Sequence, residues 1–573
     1  MPERLKLSKR VWRAVDLPRR LRRLLLAPGN AWRRRFTAMD YVLITLPPEI
    51  SALPEARGWL YSRLKGEVPW SIFTLAKAFQ RIAADPRLKG IVLNAGGLDL
   101  RMSQADIQAL RGHLLDLRRQ GKRVVFFAHG LNTSAYSLAC AADDIILQPG
   151  GELAITGLRS TITFQRDALA AIGIEIEKIA ISPYKSAADT LTRSTISAEA
   201  EEQFNWLLDS VYEGVLKTIA SGRGIAMAAA KSMIDGAPYT AADALEAGYI
   251  DAVCNEEALP EYLQSRHLLS WREVAKKLPI SLPPSGGGHV AVVEINGAIV
   301  PGKSRRPPFP LPLPLIGGAR SGDETVVRQI RQVMRDKSAA ALIVFVNSPG
   351  GSATASEAIA AALDNLAKTR PVVICMHSLA ASGGYYVATP GSWIVAQPGT
   401  LTGSIGVLSA KAYTQGMFSK LRMNRLEFSR GANATIGSDV SPLTQTQRAQ
   451  YQQRVEHIYH TFTRRVADSR KMAETTVNAV AGGRVWTGAQ AIDHGLVDEL
   501  GGIEAALRKA RILAGLADDA PLKFVKDKKR PIGPLLAEYA NPGADIYHLT
   551  DNVRLFYSGK PQMLLPFSIE WHP

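Results

Sequence analysis

Cysteine is scarce. Cys140, Cys254 and Cys375 are the only three in 573 residues, and they lie far apart. That excludes a disulfide scaffold and a cysteine-based zinc cluster. Long apolar runs are also missing. A membrane-spanning helix needs roughly 20 apolar residues. The first 36 residues offer nothing longer than Leu24-Leu25-Leu26-Ala27. They also lack the apolar core, about 7–15 residues long, that a secretion signal requires. Elsewhere, Pro371 to Ala410 contains no Asp, Glu, Lys or Arg. Pro390, Pro398 and several glycines break it, so we read it as buried core and not as a membrane span.

What is present describes a globular protein of two or three domains: 46% hydrophobic and 21% charged residues. The net charge is +17, and it is unevenly spread. Residues 1–36 hold twelve Lys or Arg against Glu3 and Asp16. Leu5, Leu7, Val11, Trp12, Val15, Leu17, Leu21, Leu24, Leu25 and Trp32 interleave with them. Basic residues mixed with Leu and Trp suit a helix on an anionic membrane surface. A solvated basic tail is the plainer alternative. No nucleic-acid-binding motif follows the arm, so nucleic acid is not expected as a partner.

The two halves repeat one pattern at an offset of about 250 residues. Gly90-Ile-Val-Leu-Asn94-Ala-Gly-Gly97 matches Ala341-Leu-Ile-Val-Phe-Val-Asn347-Ser-Pro-Gly-Gly351. Val124–His129 matches Val372–His377, and Ile145–Gly150 matches Trp393–Gly399. Tyr239–Asp251 matches Trp486–Asp498. Each half alternates apolar strands with amphipathic helices, expected at Leu75–Ala84, Ala198–Ala220, Val326–Met334 and Gln445–Arg470. That alternation predicts parallel sheets covered by helices. Breaks fall at the linker 282–289 and at the Pro-rich loop 307–318. The expected organisation is an arm over 1–38, a domain over 39–281, the linker, a second domain over 290–515, and an extension over 516–573.

The second half carries the sharper chemistry. Asn347-Ser-Pro-Gly-Gly-Ser352 ends a buried strand, and its glycines can turn backbone N–H groups toward a cavity, as an oxyanion site needs. A plain strand-to-helix turn reads the same way. Ser382, in Ser378-Leu-Ala-Ala-Ser-Gly-Gly-Tyr-Tyr386, sits among small residues at an expected helix start, where a nucleophile or a simple N-cap would fit. It is not a Gly-x-Ser-x-Gly elbow. A serine nucleophile needs a base. His377 is one candidate. Lys185, in the apolar setting Ala180-Ile-Ser-Pro-Tyr-Lys-Ser-Ala-Ala-Asp189, is the other, because burial lowers a lysine pKa toward neutrality. The asymmetry of the halves favours Lys185. Thr133 takes the place of Ser382, with Ser134-Ala135 for Gly-Gly, and the stretch 429–441 offers no lysine. Each half keeps what the other lacks, as one composite site would require.

Together, Asn347–Gly351, Ala381–Tyr386, Gly403-Ser-Ile-Gly-Val407, Tyr184-Lys-Ser-Ala187 and Trp486-Thr-Gly488 closely resemble the long, duplicated form of the signal peptide peptidase A family. The resemblance covers about residues 40–515. It implies an α/β fold of two tandem ClpP/crotonase-like domains and a serine protease with a Ser/Lys dyad. Ser382 would be the nucleophile, Lys185 the base, and Ser404 the hydroxyl bonded to the lysine. Gly350, Gly351 and Gly383 would supply the oxyanion N–H groups. No metal or cofactor is implied. Expected partners are extended apolar peptides such as signal-peptide remnants, and copies of the chain in a tetramer. Members of the family typically carry a transmembrane anchor. The basic arm here points instead to a peripheral protein of the bacterial inner membrane. A crotonase-like enzyme of acyl thioesters and a non-catalytic membrane scaffold are the rival readings. The retained Ser382, Lys185 and Ser404 set argues against both.

Overall fold

Runs rich in Val, Ile and Leu form parallel strands, as sheets covered on both faces require. The computed structural model describes residues 28–30, 33, 38–54, 70–97, 102–280, 287–305, 318–525 and 562–564. The rest of the basic arm, the linker residues 282–286, the loop residues 307–317 and most of the extension beyond residue 525 lie outside the described residues.

Two compact units result. One comprises Met1–Ser160, Asp209–Gly287 and Trp571–Pro573, the other Thr161–Leu208 and Gly288–Glu570. In the first, the strands Tyr41–Thr45, Gly90–Gly96, Arg123–Asn132 and Asp144–Ala154 lie side by side in parallel. Helices Ile72–Ala83 and Gln104–Arg119 are amphipathic and bury Leu75, Phe79, Ile107, Leu110 and Leu114. Both begin at a serine cap. Ser71 and Ser103 each accept a backbone N–H three residues on, and Thr74 and Asp106 return the bond.

In the second unit, His289–Asn296, Ala339–Ser348 and Val372–Ala381 form the parallel centre of a sheet. Its members include Leu401–Gly403, which pairs in parallel with Val372–Ala381, and Val485–Thr487, which runs antiparallel to Leu401–Gly403. A further sheet runs Arg320–Gly322, Ala298–Val300, Gly350–Ser352, Gln562–Leu564, Leu408–Tyr413, Glu175–Ala180. The charge-free stretch 371–410 supplies core, with Val373, Ile374, Tyr385, Val387, Ile394 and Val395 fully buried. Among the described residues, no helix is long and apolar enough to cross a membrane.

The units do not follow the sequence halves. Residues 161–208, read as part of the 39–281 domain, belong to the unit built on the second repeat. The cause is strand pairing: Glu175–Ala180 pairs antiparallel with Leu408–Tyr413 along its whole length. The division falls inside the continuous helix Ala198–Arg223. A local sequence pattern does not show which unit such a segment joins.

Candidate active site

Ser382 sits where the strand Val372–Ala381 passes into the short helix Gly383–Tyr386. Its backbone is left-handed, with φ 56° and ψ −114°. Such a conformation in a residue bearing a Cβ costs on the order of 1–3 kcal/mol and persists only where the surroundings impose it. The Ser382 N–H donates to the Gly403 carbonyl at 2.8 Å, which fixes the turn. Glycine follows because nothing larger fits. A Cβ on Gly383 would lie 2.7 Å from Ser356 Oγ and 3.1 Å from the Gly351 nitrogen. A Cβ on Gly384 would lie 2.7 Å from the Ser348 carbonyl oxygen.

Lys185 reaches this turn from within the same unit, and it is completely buried. Its Nζ lies 2.7 Å from Ser382 Oγ, 2.8 Å from Ser404 Oγ and 2.9 Å from the Ser404 carbonyl oxygen. Burial pushes its pKa well below the usual lysine range, because the charged form loses its hydration. In the neutral state the Ser382 hydroxyl can donate to the amine, while the amine donates to Ser404. Ser404 is itself left-handed, at φ 49°, and its N–H donates to the Arg484 carbonyl at 2.6 Å. Lys185, Ser382 and Ser404 therefore meet at one point.

The lysine is held by Gly406, Tyr184 and Trp486, which lie in the matched motifs, and by Gln203, Trp206, Gly482 and Gly483, which the sequence reading did not single out. Gly483 has φ 89°, and a Cβ there would strike Lys185 Cα at 2.7 Å. A Cβ on Gly406 would come within 3.3 Å of Lys185 Cδ. Ser182 Oγ donates to the Gly482 carbonyl. The neighbouring Tyr184 stacks on Trp206, which stacks on Trp486 at 5.0 Å between ring centroids. Trp206 Nε1 donates to the Val485 carbonyl at 2.9 Å, and Gln203 Oε1 accepts the Val485 N–H at 2.8 Å. The adjacent Gly482-Gly483 pair was the one local hint of close backbone approach.

The expected oxyanion glycines lie together, with a difference among them. Gly350 and Gly351 have φ of 98° and 153°, and a Cβ on Gly351 would overlap the Ile299 carbonyl at 2.0 Å. The Gly350 N–H already donates to Ser348 Oγ at 3.1 Å, which in turn donates to the Gly297 carbonyl. His377 packs against the Phe345 ring at 5.2 Å, and its carbonyl accepts from Thr400 Oγ1 at 2.5 Å. In the first repeat, Thr133 starts an ordinary helix capped by Asn132, and Thr133 Oγ1 donates to the Gly157 carbonyl at 3.1 Å. Among the described residues, no group of His, Cys, Asp and Glu side chains could hold a metal ion.

Two measurements check this geometry without reference to activity. Ser382→Gly and Ser382→Ala both remove the hydroxyl, but only glycine relieves the left-handed backbone. The glycine variant is expected to be more stable by about 1 kcal/mol in chemical denaturation; equal stabilities would show that the turn is unstrained. The second concerns Lys185. An unfolded lysine holds its proton up to about pH 10.4, whereas the folded one releases it at lower pH. Stability therefore rises as pH climbs from the folded pKa toward about 10.4. Lys185→Met should remove that slope, and a parallel slope in both proteins would contradict a neutral buried amine.

The sequence profile of peptidase family S49 matches residues 116–268 and again residues 364–517, and that of Clp protease matches residues 320–394. Two matches to one profile establish the duplication, and the tandem ClpP-like α/β fold stands with them. The chain is 31% identical over 476 residues to a protein of Arabidopsis thaliana named "Serine protease SPPA, chloroplastic", covering 80% of this chain and 68% of that one. It is 29% identical over 510 residues to "Protease 4" of Haemophilus influenzae, covering 83% and 80%. It is 30% identical over 468 residues to "Protease 4" of Salmonella typhi, covering 78% and 72%. With the family profile matched twice, over more than half its length, the chain belongs to peptidase family S49.

Proposed function

We propose that this peptidase is a serine endopeptidase in which Ser382 is the nucleophile and Lys185 the general base. The observation that carries the reading is the 2.7 Å approach of a fully buried lysine amine to Ser382 Oγ. A neutral amine accepts the hydroxyl proton as Ser382 attacks the peptide carbonyl. The tetrahedral oxyanion then needs N–H donors. Gly351 and Gly383 serve best, because the Gly350 N–H is donated to Ser348 and steadies the turn. Lys185 returns the proton to the leaving amine. Water, deprotonated by the same lysine, then hydrolyses the acyl-enzyme. Ser404 orients the amine throughout.

The substrate is an extended, largely apolar peptide of the signal-peptide-remnant kind. The support is the sheet around the nucleophile. Gly350–Ser352 and Leu408 each hold an antiparallel partner strand, and in this structure that partner is Gln562–Leu564 of the chain itself. A peptide bound there would use main-chain bonds, which tolerate varied sequences. The basic arm would place the enzyme peripherally on the bacterial inner membrane, and copies would assemble as a tetramer.

The test compares wild type, Ser382→Ala, Lys185→Met and Ser404→Ala on a fluorogenic apolar peptide, with circular dichroism to confirm folding. Ser382→Ala and Lys185→Met should each lose at least a few hundredfold in kcat/KM, and Ser404→Ala less. Cleavage retained by folded Ser382→Ala would refute the peptidase assignment and favour thioester chemistry. The rate should rise with pH along a limb set by Lys185, well below the usual lysine pKa; a limb near pH 10.4 would exclude a buried base. Deleting residues 556–573 should raise the rate of Ser382 labelling by a fluorophosphonate several-fold, if the peptide takes the place of Gln562–Leu564. An unchanged rate would put the peptide elsewhere.

A further inference from the structure

One turn of the helix Ala198–Arg223 reaches the segments that carry all three residues of the site. Leu207 shares an apolar cluster with Ala381, Leu401 and Val485. Ala381 precedes Ser382, and Leu401–Gly403 leads into Ser404. The Trp206 ring stacks on Tyr184, which precedes Lys185. Gln203 and Trp206 grip Val485 itself. Gln203 Oε1 accepts its N–H and Trp206 Nε1 donates to its carbonyl.

These two bonds stand where a neighbouring strand would. Val485–Thr487 is the last strand of its sheet order, and Val485 faces Gly403 across the pair. An edge strand normally leaves its outer N–H and C=O groups to water. Here side chains of a helix take both. The closed edge adjoins the base. Gly483, two residues before Val485, lies against the Lys185 backbone and donates its N–H to the Ile405 carbonyl at 2.8 Å. The Arg484 carbonyl holds the Ser404 N–H.

Gln203 is a costly residue to place there. It is completely buried, and among the described residues its Nε2 has no hydrogen-bond partner. A buried amide donor left unpaired destabilises a fold. Methionine or leucine would fill the same space without that cost. What they lack is an acceptor for the Val485 N–H.

We propose that Gln203 is a positioning residue for the base: with Trp206 it fixes Val485 and, through Gly483 and Arg484, keeps water out of the space around Lys185. This role rests on the assignment of Lys185 as the base. The physical route is hydration. Lys185 Nζ bonds Ser382 and Ser404, and loss of hydration is what lowers its pKa. The titratable groups on the segments packed around it are engaged elsewhere. Asp189 pairs with Lys178, and Glu202 accepts from the Tyr184 hydroxyl. The Arg484 guanidinium lies over the Tyr184 ring at 4.1 Å, and His377 lies against Phe345. The dryness of the walls therefore decides how readily the amine gives up its proton. Freeing Val485 would let its edge part from the helix, admit water and favour the charged amine.

The experiment follows kcat/KM against pH for cleavage of the fluorogenic apolar peptide by the full chain. It compares wild type, Gln203→Met and Trp206→Phe, with circular dichroism to confirm folding. Gln203→Met keeps the side-chain length and removes the acceptor. Trp206→Phe keeps a ring and removes the donor. Both should move the rising limb to higher pH, Gln203→Met by about half a unit or more. That is a loss of roughly threefold or more on the limb, which shrinks as the pH passes above it. A purely structural role would lower the rate evenly and leave the limb in place, and an unmoved limb in folded Gln203→Met overturns the proposal. Should that variant not fold, an unmoved limb in Trp206→Phe does the same. Denaturation gives a reading that needs no cleavage. The rise of stability toward about pH 10.4 that depends on Lys185 should start at higher pH in Gln203→Met and be smaller than in wild type; an identical rise overturns the proposal. Cleavage by folded Ser382→Ala, or a wild-type limb near pH 10.4, would instead remove the base assignment on which this role rests.

Discussion

Burying one amine without a countercharge is the constraint around which the second unit is organised. Lys185 is fully enclosed, and its contacts are two serine hydroxyls and a carbonyl. A charge there would be costly, so burial lowers the lysine pKa and favours the neutral amine. That outcome needs tight walls, and the walls explain several residues at once. Gly406 and Gly483 are bare because a Cβ would meet the lysine. The stacked Tyr184, Trp206 and Trp486 rings, with the bonds of Trp206 and Gln203 to the Val485 backbone, close the segment around it. The left-handed backbones of Ser382 and Ser404 then present both hydroxyls to one nitrogen.

Periodicity made the scaffold legible. The expected helices at Val326–Met334 and Gln445–Arg470 occur as Asp323–Arg335 and Gln445–Arg470. The apolar run at Val372 continues as strand to Ala381, carrying the chain to Ser382. Lys185 could be singled out because the repeats differ there, and comparison within one chain substitutes for an alignment. Local sequence did not reveal contacts set by distant pairing. Nothing in Glu175–Ala180 announces Leu408–Tyr413 as its neighbour. Nothing in Gln562–Leu564 announces Gly350–Ser352. The bond from Gly350 to Ser348 was equally hidden, since a Ser-Pro-Gly-Gly string does not show which N–H its own serine captures.

The strand Leu408–Tyr413 has two different edges. Along one it pairs with Glu175–Ala180, which leads the chain toward Lys185; at Leu408 it meets Gln562–Leu564 on the other. The same strand thus braces the segment that leads to Lys185 and borders Gln562–Leu564, which lies beside Gly350–Ser352.

The relaxed turn at Thr133 has an evolutionary consequence. In the second repeat, Ser382, Gly383 and Gly384 depend on one another, since a Cβ at either glycine would strike neighbouring atoms. In the first repeat, Thr133, Ser134 and Ala135 start a regular helix behind an Asn132 cap. Restoring a nucleophile there would take several simultaneous substitutions, and a lone Thr133→Ser would leave the hydroxyl on an unstrained helix. On the proposed assignment each pair of repeats holds one site, and the first repeat keeps the fold without the left-handed turn.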